Sequence, residues 1–125
     1  MDPISDLLTT IRNSSKVGNQ RTGIAYSKVL EAICKILAAN SIINNYEIKE
    51  ENSQKKIEII LNQNRKIQHL RRISKPGRRI YVQAKNIHAP LSGLGFMIIS
   101  TPRGMLESRM AKKLGIGGEV ICEMW

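Results

Sequence analysis

The chain has 125 residues, of which 42% are hydrophobic and 24% charged, and its 20 Lys or Arg against 10 Asp or Glu give a formal net charge of +10. This length fits one domain or two very small ones, and the apolar content is too high for a disordered basic tail. Apolar runs such as residues 96–99 are far shorter than the roughly 18 residues of a membrane span, and Asp2 and Asp6 stand where a signal peptide carries basic residues. We therefore expect a folded, soluble, basic protein without a membrane span or a cleavable signal.

The chain opens with the pattern of an amphipathic helix. Asp2 can cap free amide groups and Pro3 suits the first helical position, so a helix is expected from here to about Ser14. Gly18 and Gly23 predict a loop after it. The apolar stripe of the helix consists of Ile4, Leu7, Leu8 and Ile11.

Residues 27–59 predict a second helix followed by a hairpin. Ser27 is a plausible helix cap, and Asn40 is expected to end the helix in the left-handed conformation. Apolar and polar residues then alternate at 46–49 and 56–59, which predicts two antiparallel strands joined by a turn at 50–54. The apolar stripe of the helix consists of Leu30, Ile33, Cys34 and Leu37.

The polar run at residues 62–66 is the one composition shift that indicates a domain boundary. Beyond it the chain predicts a small sheet with tight turns at 75–78 and 90–93, and a last short helix at 105–114 that ends before Gly115. The expected strands are residues 67–73, 79–82, 94–100 and 119–124.

Basic residues concentrate in the middle of the chain. Residues 1–58 carry eight basic and seven acidic side chains, residues 59–106 carry nine basic and no acidic ones, and the remainder carries three of each. A stretch of this length without a carboxylate cannot neutralise itself by local salt bridges, which favours a polyanion as partner. A solvated basic face explains so complete an absence of acid poorly, and a membrane surface would need an uninterrupted amphipathic helix, so nucleic acid fits best. The nine cations are Arg65, Lys66, Arg71, Arg72, Lys75, Arg78, Arg79, Lys85 and Arg103.

The sequence offers no recognisable catalytic or metal-binding arrangement, so we expect no enzyme, no cofactor and no small-molecule substrate. Cys34 and Cys122 lie in apolar patterns and are expected to be buried thiols in a reducing compartment. His69 and His88 are not at a zinc-ligand spacing from either cysteine. Glu119 follows two glycines, but one carboxylate without a partner or a metal cluster makes a poor nuclease.

The most informative turn is residues 100–104, which read Ser-Thr-Pro-Arg-Gly and are expected between an apolar strand and a helix. Hydroxyls and amides at a helix start can bind phosphate or ribose, and Arg103 adds a charge-assisted contact. An ordinary connecting turn is the alternative. Aromatic residues make up only 4% of the chain, which favours recognition of RNA backbone and shape over base stacking.

Five segments together form a specific pattern: DPISD to IRN at 2–13, RISKPG to RIY at 72–81, GLG at 93–95, ST-x-RG at 100–104 and LG-x-GGE-x-IC at 114–122. Over essentially its whole length the chain resembles the family of small-subunit ribosomal protein eight, bacterial and organellar type. The resemblance implies an α+β fold with a small α/β N-terminal domain, residues 1–63, packed against a mostly β C-terminal domain, residues 64–125. It also implies a non-enzymatic protein that binds the central domain of small-subunit ribosomal RNA early in assembly of the subunit platform, beside neighbouring small-subunit proteins.

The resemblance also implies where RNA binds. In the family a Ser-Thr-Ser turn and a Gly-Gly-Glu strand start form the main site, supported by a tyrosine. Together with the cations of the middle stretch, the expected RNA-binding residues are Tyr81, Ser100, Thr101, Arg103, Gly104, Gly118, Glu119, Arg71, Arg72, Lys75, Arg78 and Arg79.

The chain departs from the family pattern at two positions. Pro102 stands where the family usually has its second serine, which removes a hydroxyl and an amide donor. Glu123 stands where the family usually has tyrosine, and we expect it to bring a negative charge close to the RNA site.

Two other functions share features with this interpretation. A free translational regulator would use the same surface to bind a similar stem in a messenger RNA, and an RNA-processing enzyme would need Glu119 to act with a metal. The abundance of Ile, Asn and Lys, the final Trp125 and the absence of a targeting extension resemble a plastid-encoded member in the chloroplast stroma. An AT-rich bacterium, with the protein in its cytoplasm, would give the same picture.

Overall fold

The computed structural model describes residues 2–65, 67–88 and 93–125. They form two compact units, Pro3–Ile67 and Gln68–Trp125, with Asp2 grouped in the second. Each unit combines helix with antiparallel strands, which confirms the α+β class. Lys66 and most of the turn predicted at 90–93 lie outside the described residues. Within the described ranges no helix is both long and apolar enough to cross a membrane.

The first unit contains both predicted helices, α1 (Pro3–Lys16) and α2 (Lys28–Ala39). The Ser27 hydroxyl caps α2 as expected by accepting a hydrogen bond from Leu30 N at 3.1 Å. The prediction that Asn40 is left-handed is wrong, because Asn40 has φ −102° and the next residue, Ser41, has φ 61°. Ser41 N donates to Ala38 O, and the residue after Ser41 donates to the α2 carbonyl five positions back. These two bonds form a Schellman motif, which needs its left-handed residue one position beyond Asn40.

The sheet of the first unit has three antiparallel strands in the order β1-β3-β2, namely β1 (Arg21–Ala25), β2 (Ile43–Glu51) and β3 (Gln54–Leu61). The predicted hairpin is confirmed, and its turn is two residues long, with Asn52 and Ser53 both at positive φ as in a type I′ turn. The loop expected to extend to Gly23 is shorter than predicted, because Gly23 lies within β1 opposite Glu58.

The core of the first unit is built from apolar residues that recur at helical spacing in α1 and α2 and at every second position in β3. Helix α2 buries its whole predicted stripe, α1 buries its predicted stripe except Ile4, which is only partly buried, and β3 buries alternate residues. Cys34 is fully buried in α2 and carries no disulfide, as expected. The buried residues of these elements are Leu7, Leu8, Ile11, Leu30, Ile33, Cys34, Leu37, Ile57, Ile59 and Leu61.

The second unit is a five-stranded antiparallel sheet with one short helix. Its strands run in the order β4-β8-β6-β7, and β5 pairs with the other end of β8, on the edge that β4 uses. A short 3₁₀ turn follows β5. The elements are β4 (Leu70–Arg72), β5 (Tyr81–Val82), the 3₁₀ turn (Ala84–Asn86), β6 (Phe96–Thr101), β7 (Gly104–Glu107), α3 (Ser108–Leu114) and β8 (Gly118–Met124).

The last helix starts later than predicted. Residues 104–107 form β7, and α3 begins only at Ser108. Gly115 ends α3 at φ 71° in the left-handed conformation, which confirms the predicted stop. The turn at 100–104 therefore joins two strands of a hairpin, and the expectation of a helix start in this turn is wrong.

One face of the second sheet packs on α3 and the 3₁₀ turn. Ile87, Ile99 and Ala111 form a buried cluster there, with Val82 and Leu106 packed against it. Cys122 is fully buried in β8 and free, as expected for a small core residue.

Strand β8 contains a bulge at Ile121. Its neighbours Val120 and Cys122 lie opposite consecutive residues of β6, so Ile121 is an extra residue in the ladder. An extra residue shifts the alternation of side chains between the two faces of a sheet. Glu119 therefore shares a face with Cys122, while Glu123 lies on the opposite face.

Candidate nucleic-acid interface

Three of the predicted RNA-binding residues lie in one row across the second sheet. Glu119 in β8 pairs with Ser100 in β6 on one side and with Tyr81 in β5 on the other. Directly paired residues project from the same face with Cβ atoms about 4.5–5.5 Å apart. The sheet register thus places a hydroxyl, a carboxylate and an aromatic ring, from positions far apart in the chain, side by side.

The members of this row differ in exposure. Tyr81 is 71% exposed and presents its ring to solvent, whereas Glu119 is largely buried and Ser100 is half-buried. In the part of the chain that the structure describes, the Ser100 hydroxyl makes no hydrogen bond. It can therefore donate to or accept from a ligand.

Two glycines allow β8 to start between β5 and β6. A Cβ atom on Gly118 would lie 2.1 Å from Ser100 O, and one on Gly117 would lie 2.3 Å from Val82 O. Both atoms belong to the backbone of neighbouring strands and cannot move away alone. Gly118, predicted as an RNA contact, thus has a structural role: it brings Glu119 into register with Ser100.

The turn between β6 and β7 uses its own threonine. Thr101 Oγ1 donates to Gly104 O at 2.8 Å and accepts from Arg103 N at 3.1 Å. Pro102 occupies the first turn position, where its fixed φ suits the geometry, and Gly104 has φ 103°. The Thr101 hydroxyl was expected to face RNA, but its donor is used to close the turn that presents Arg103.

The carboxylate of Glu119 is paired with a predicted RNA contact. Arg79 Nη1 donates to Glu119 Oε2 at 2.9 Å, and this bond raises the pKa of the Arg79 guanidinium. The Arg79 side chain is 48% exposed, so the pair lies at the surface with its acidic partner beneath.

A basic loop, residues 75–79, is closed by a buried serine. Ser74 is fully buried; its hydroxyl donates to Ile80 O at 3.1 Å and accepts from Ile80 N at 2.9 Å. Within the loop, Lys75 N and Arg78 N each donate to the carbonyl of the other residue, which confirms the predicted tight turn. The backbone of the loop is thereby fixed while both cationic side chains remain exposed.

The predicted cations differ in whether their side chains bind acceptors of the protein itself or are exposed to solvent. Arg72 is nearly buried, and its guanidinium donates to Asp2 Oδ2 and to Ile121 O, each at 2.8 Å. Arg72 therefore binds acceptors of the protein itself, so the surface proposed below does not include it. Among the described residues, five of the nine middle-stretch cations lie in the second unit, are exposed and have no carboxylate within salt-bridge distance, namely Arg71, Lys75, Arg78, Lys85 and Arg103.

Glu123 does not lie where the sequence suggested. It is near the far end of β8, on the face opposite Glu119, and His69 Nε2 lies 3.1 Å from its Oε1. The His69 ring stacks on Trp125 with centroids 3.9 Å apart. The expectation that Glu123 brings negative charge to the row of Tyr81, Glu119 and Ser100 is therefore wrong, because the bulge turns it to the other face.

Two contacts of this surface were not predicted from the sequence. The pair Arg79–Glu119 joins residues 40 positions apart, and no local pattern indicates it. Ser74 belongs to a segment that carried the family resemblance, and its place just before Lys75-Pro76-Gly77 was the available signal for a loop-closing role. Within the described ranges, no group of three or more His, Cys, Asp or Glu side chains could hold a metal ion.

Comparison with known proteins finds a single family along nearly the whole chain. The family profile described as Ribosomal protein S8 matches residues 2–125. The chain is 44% identical to the small ribosomal subunit protein uS8 of Thermus aquaticus over 135 residues, covering 99% of this chain and 98% of that protein. It is 42% identical to uS8 of Geobacillus kaustophilus, with 99% and 97% covered, and 41% identical to uS8 of Sorangium cellulosum, with 99% and 98% covered.

A profile match over nearly the whole chain and identities above 40% at full coverage confirm the resemblance that the five sequence segments indicated. The chain belongs to the ribosomal protein S8 family, whose members are non-enzymatic structural proteins of the small ribosomal subunit.

Proposed function

We propose that this protein binds the central domain of small-subunit ribosomal RNA directly and helps to assemble the subunit platform beside neighbouring small-subunit proteins. The observation that carries the proposal is the row of Tyr81, Glu119 and Ser100, which combines a ring, an acceptor and a free hydroxyl. Structured RNA offers ribose hydroxyls, base edges and unstacked bases to such groups.

Exposed cations around this row supply the affinity for phosphate. Arg103 lies in the turn that follows Ser100 and Thr101, and Lys75 and Arg78 lie in the basic loop that precedes Tyr81. Phosphate contacts fix the position of a protein on RNA, while groups that reach bases and ribose provide the specificity. We assign the positioning of the protein on RNA to these cations and the specificity to the row.

The proposal extends to the organisation of the chain. Residues 1–63 form an N-terminal domain, and residues 64–125 form the C-terminal domain with the RNA-binding surface. The protein works on ribosomes of a plastid, or, if the sequence comes from an AT-rich bacterium, in the bacterial cytoplasm.

The experiment compares one stem from the central domain with an unrelated duplex of equal length. If about five of the nine middle-stretch cations neutralise phosphates, log K should fall against log salt with a slope of about −3.5 to −4.5. Ser100→Ala removes a hydroxyl that the protein does not use, so it should weaken binding to the stem several-fold and leave the melting temperature unchanged. Thr101→Ala should lower both binding and stability, because it removes two hydrogen bonds of the turn.

Two results would contradict the proposal. A salt slope near zero would exclude phosphate binding by these cations, and equal loss of affinity for both RNAs in Ser100→Ala would exclude the row as the source of specificity. In cells, the native protein should co-sediment with small-subunit particles.

A further inference from the structure

A carboxylate inside a cationic surface requires an explanation. Glu119 lies in the row that faces the proposed RNA, where an uncompensated negative charge would repel phosphates. Arg79 cancels that charge through its 2.9 Å bond to Oε2. Among the described residues, the second carboxylate oxygen, Oε1, has no hydrogen-bond donor, so one acceptor remains for a ligand.

The chemistry around this oxygen suits a nucleoside better than a phosphate. Tyr81, on one side of Glu119, is 71% exposed and can stack on a base, and the Ser100 hydroxyl on the other side is free. An oriented carboxylate oxygen accepts from the amino group of a base or from a ribose hydroxyl, and a phosphate offers no such donor. The orientation of the carboxylate is therefore as important as its presence.

We propose that Arg79 is a positioning residue: it holds Glu119 so that the carboxylate accepts a hydrogen bond from a nucleoside, and it does not itself contact phosphate. This inference rests on the proposed function of the row. It separates Arg79 from its neighbour Arg78, which is exposed without a carboxylate partner and serves as a phosphate contact.

The two roles predict opposite behaviour when Glu119 is removed. If Arg79 acts through Glu119, Arg79→Gln should weaken binding to the stem about tenfold in the parent protein and at most about twofold in a Glu119→Gln background. If Arg79 contacts phosphate, Glu119→Gln would free its guanidinium from the ion pair. Arg79→Gln would then weaken binding to the stem at least as strongly in the Glu119→Gln background as in the parent protein.

The matched control is Arg78→Gln, one residue away. It should weaken binding to the stem and to the unrelated duplex alike, reduce the salt slope by about 0.7–0.9, and have the same effect with or without Glu119. Arg79→Gln leaves the Glu119 charge uncompensated, so it should also weaken binding to the unrelated duplex, but clearly less than binding to the stem. Arg79→Lys, which keeps the charge but not the planar fork, should restore only part of the lost affinity.

The measurement is a set of RNA titrations of the full chain and its single and double variants, with a thermal melt of each variant. Arg79 is 48% exposed but Glu119 is largely buried, so Arg79→Gln should lower the melting temperature only slightly, and the titrations are made at a temperature at which every variant is folded. Additive effects of Arg79→Gln and Glu119→Gln, in a parent protein that does prefer the stem, would overturn this inference alone. A parent protein that binds both RNAs equally would instead overturn the proposed function.

Discussion

Replacing Gly118 by alanine tests the close approach of β8 to β6. The new Cβ atom would lie 2.1 Å from Ser100 O and 3.0 Å from the Ser100 carbonyl carbon. An unstrained carbon–oxygen contact is about 3.3 Å or longer, so the two strands would have to separate by roughly 1 Å at this point. Both atoms belong to the Ser100 backbone, next to the last pair of the β6–β8 ladder, so no side-chain rotation can relieve the overlap.

The cost of this substitution follows from three contributions. Overpacking costs about 1–3 kcal/mol, and each weakened ladder hydrogen bond adds about 0.5–1.5 kcal/mol. The lower conformational entropy of alanine in the unfolded chain offsets about 0.4–1 kcal/mol. We expect a net loss of about 2–4 kcal/mol in the free energy of unfolding, which corresponds to a melting temperature lower by about 8–15 °C.

Gly77 provides the matched control. It lies in the exposed turn of the basic loop, a Cβ atom there meets nothing within 4 Å, and its φ is not in the left-handed region. Gly77→Ala should therefore leave the protein as stable as the parent or slightly more stable. The assay is thermal unfolding of the three proteins followed by circular dichroism. If Gly118→Ala melted within about 2 °C of Gly77→Ala, the close approach would not constrain the strand and the reasoning would be refuted.

Three further predictions concern other contacts. Ser74→Ala leaves the Ile80 N–H without its acceptor and should lower the free energy of unfolding by about 1–3 kcal/mol, measured as an earlier urea midpoint; an unchanged midpoint would contradict the closing role. Burial raises the pKa of the thiols of Cys34 and Cys122 to about 12, so at pH 8 both are protonated and iodoacetamide should label them only in denaturant. Hydrogen bonds from Lys49 and then from Arg21 lower the pKa of Glu58. These bonds therefore stabilise the folded protein fully above the ordinary glutamate pKa, and this stabilisation is lost as the pH falls through the lowered pKa. An NMR titration should show that Lys49→Gln raises the Glu58 pKa, and an unchanged value would exclude the pairing.

Local patterns in the sequence predicted the elements that depend on them. The Ser27 cap, the apolar stripes of α1 and α2 and the Gly115 stop are all decided within a few residues, and the structure confirms each of them. The start of the last helix was misplaced because that prediction also relied on a local pattern. Leu106 fits a helical stripe with Met110 and Leu114, but in the structure Met105 and Leu106 pair with Ser100 and Ile99 as part of a strand.

Features decided by distant partners could not be predicted in this way. Arg72 was assigned to RNA because of its charge, and only the fold shows that Asp2 and Ile121 O, 70 and 49 positions away, bind its guanidinium. The strand β1 was missed because its Gly23 indicates a loop, whereas pairing with β3 overrides this local preference. The row of Tyr81, Glu119 and Ser100 could be predicted only through the family resemblance, because the register that pairs these residues depends on three segments that are distant in the sequence.

The bulge at Ile121 has a consequence for the tolerance of β8 to insertions and deletions. In a regular strand, Glu119 and Glu123 would project from the same face, whereas the extra residue lets one carboxylate join the row and the other bind His69. Deleting Ile121 would restore a regular ladder and keep the two carboxylates on opposite faces, whereas inserting one residue between them would turn one of the two to the wrong side. Loss of the bulged residue is thus compatible with both contacts, but an added residue in this stretch of the strand is not.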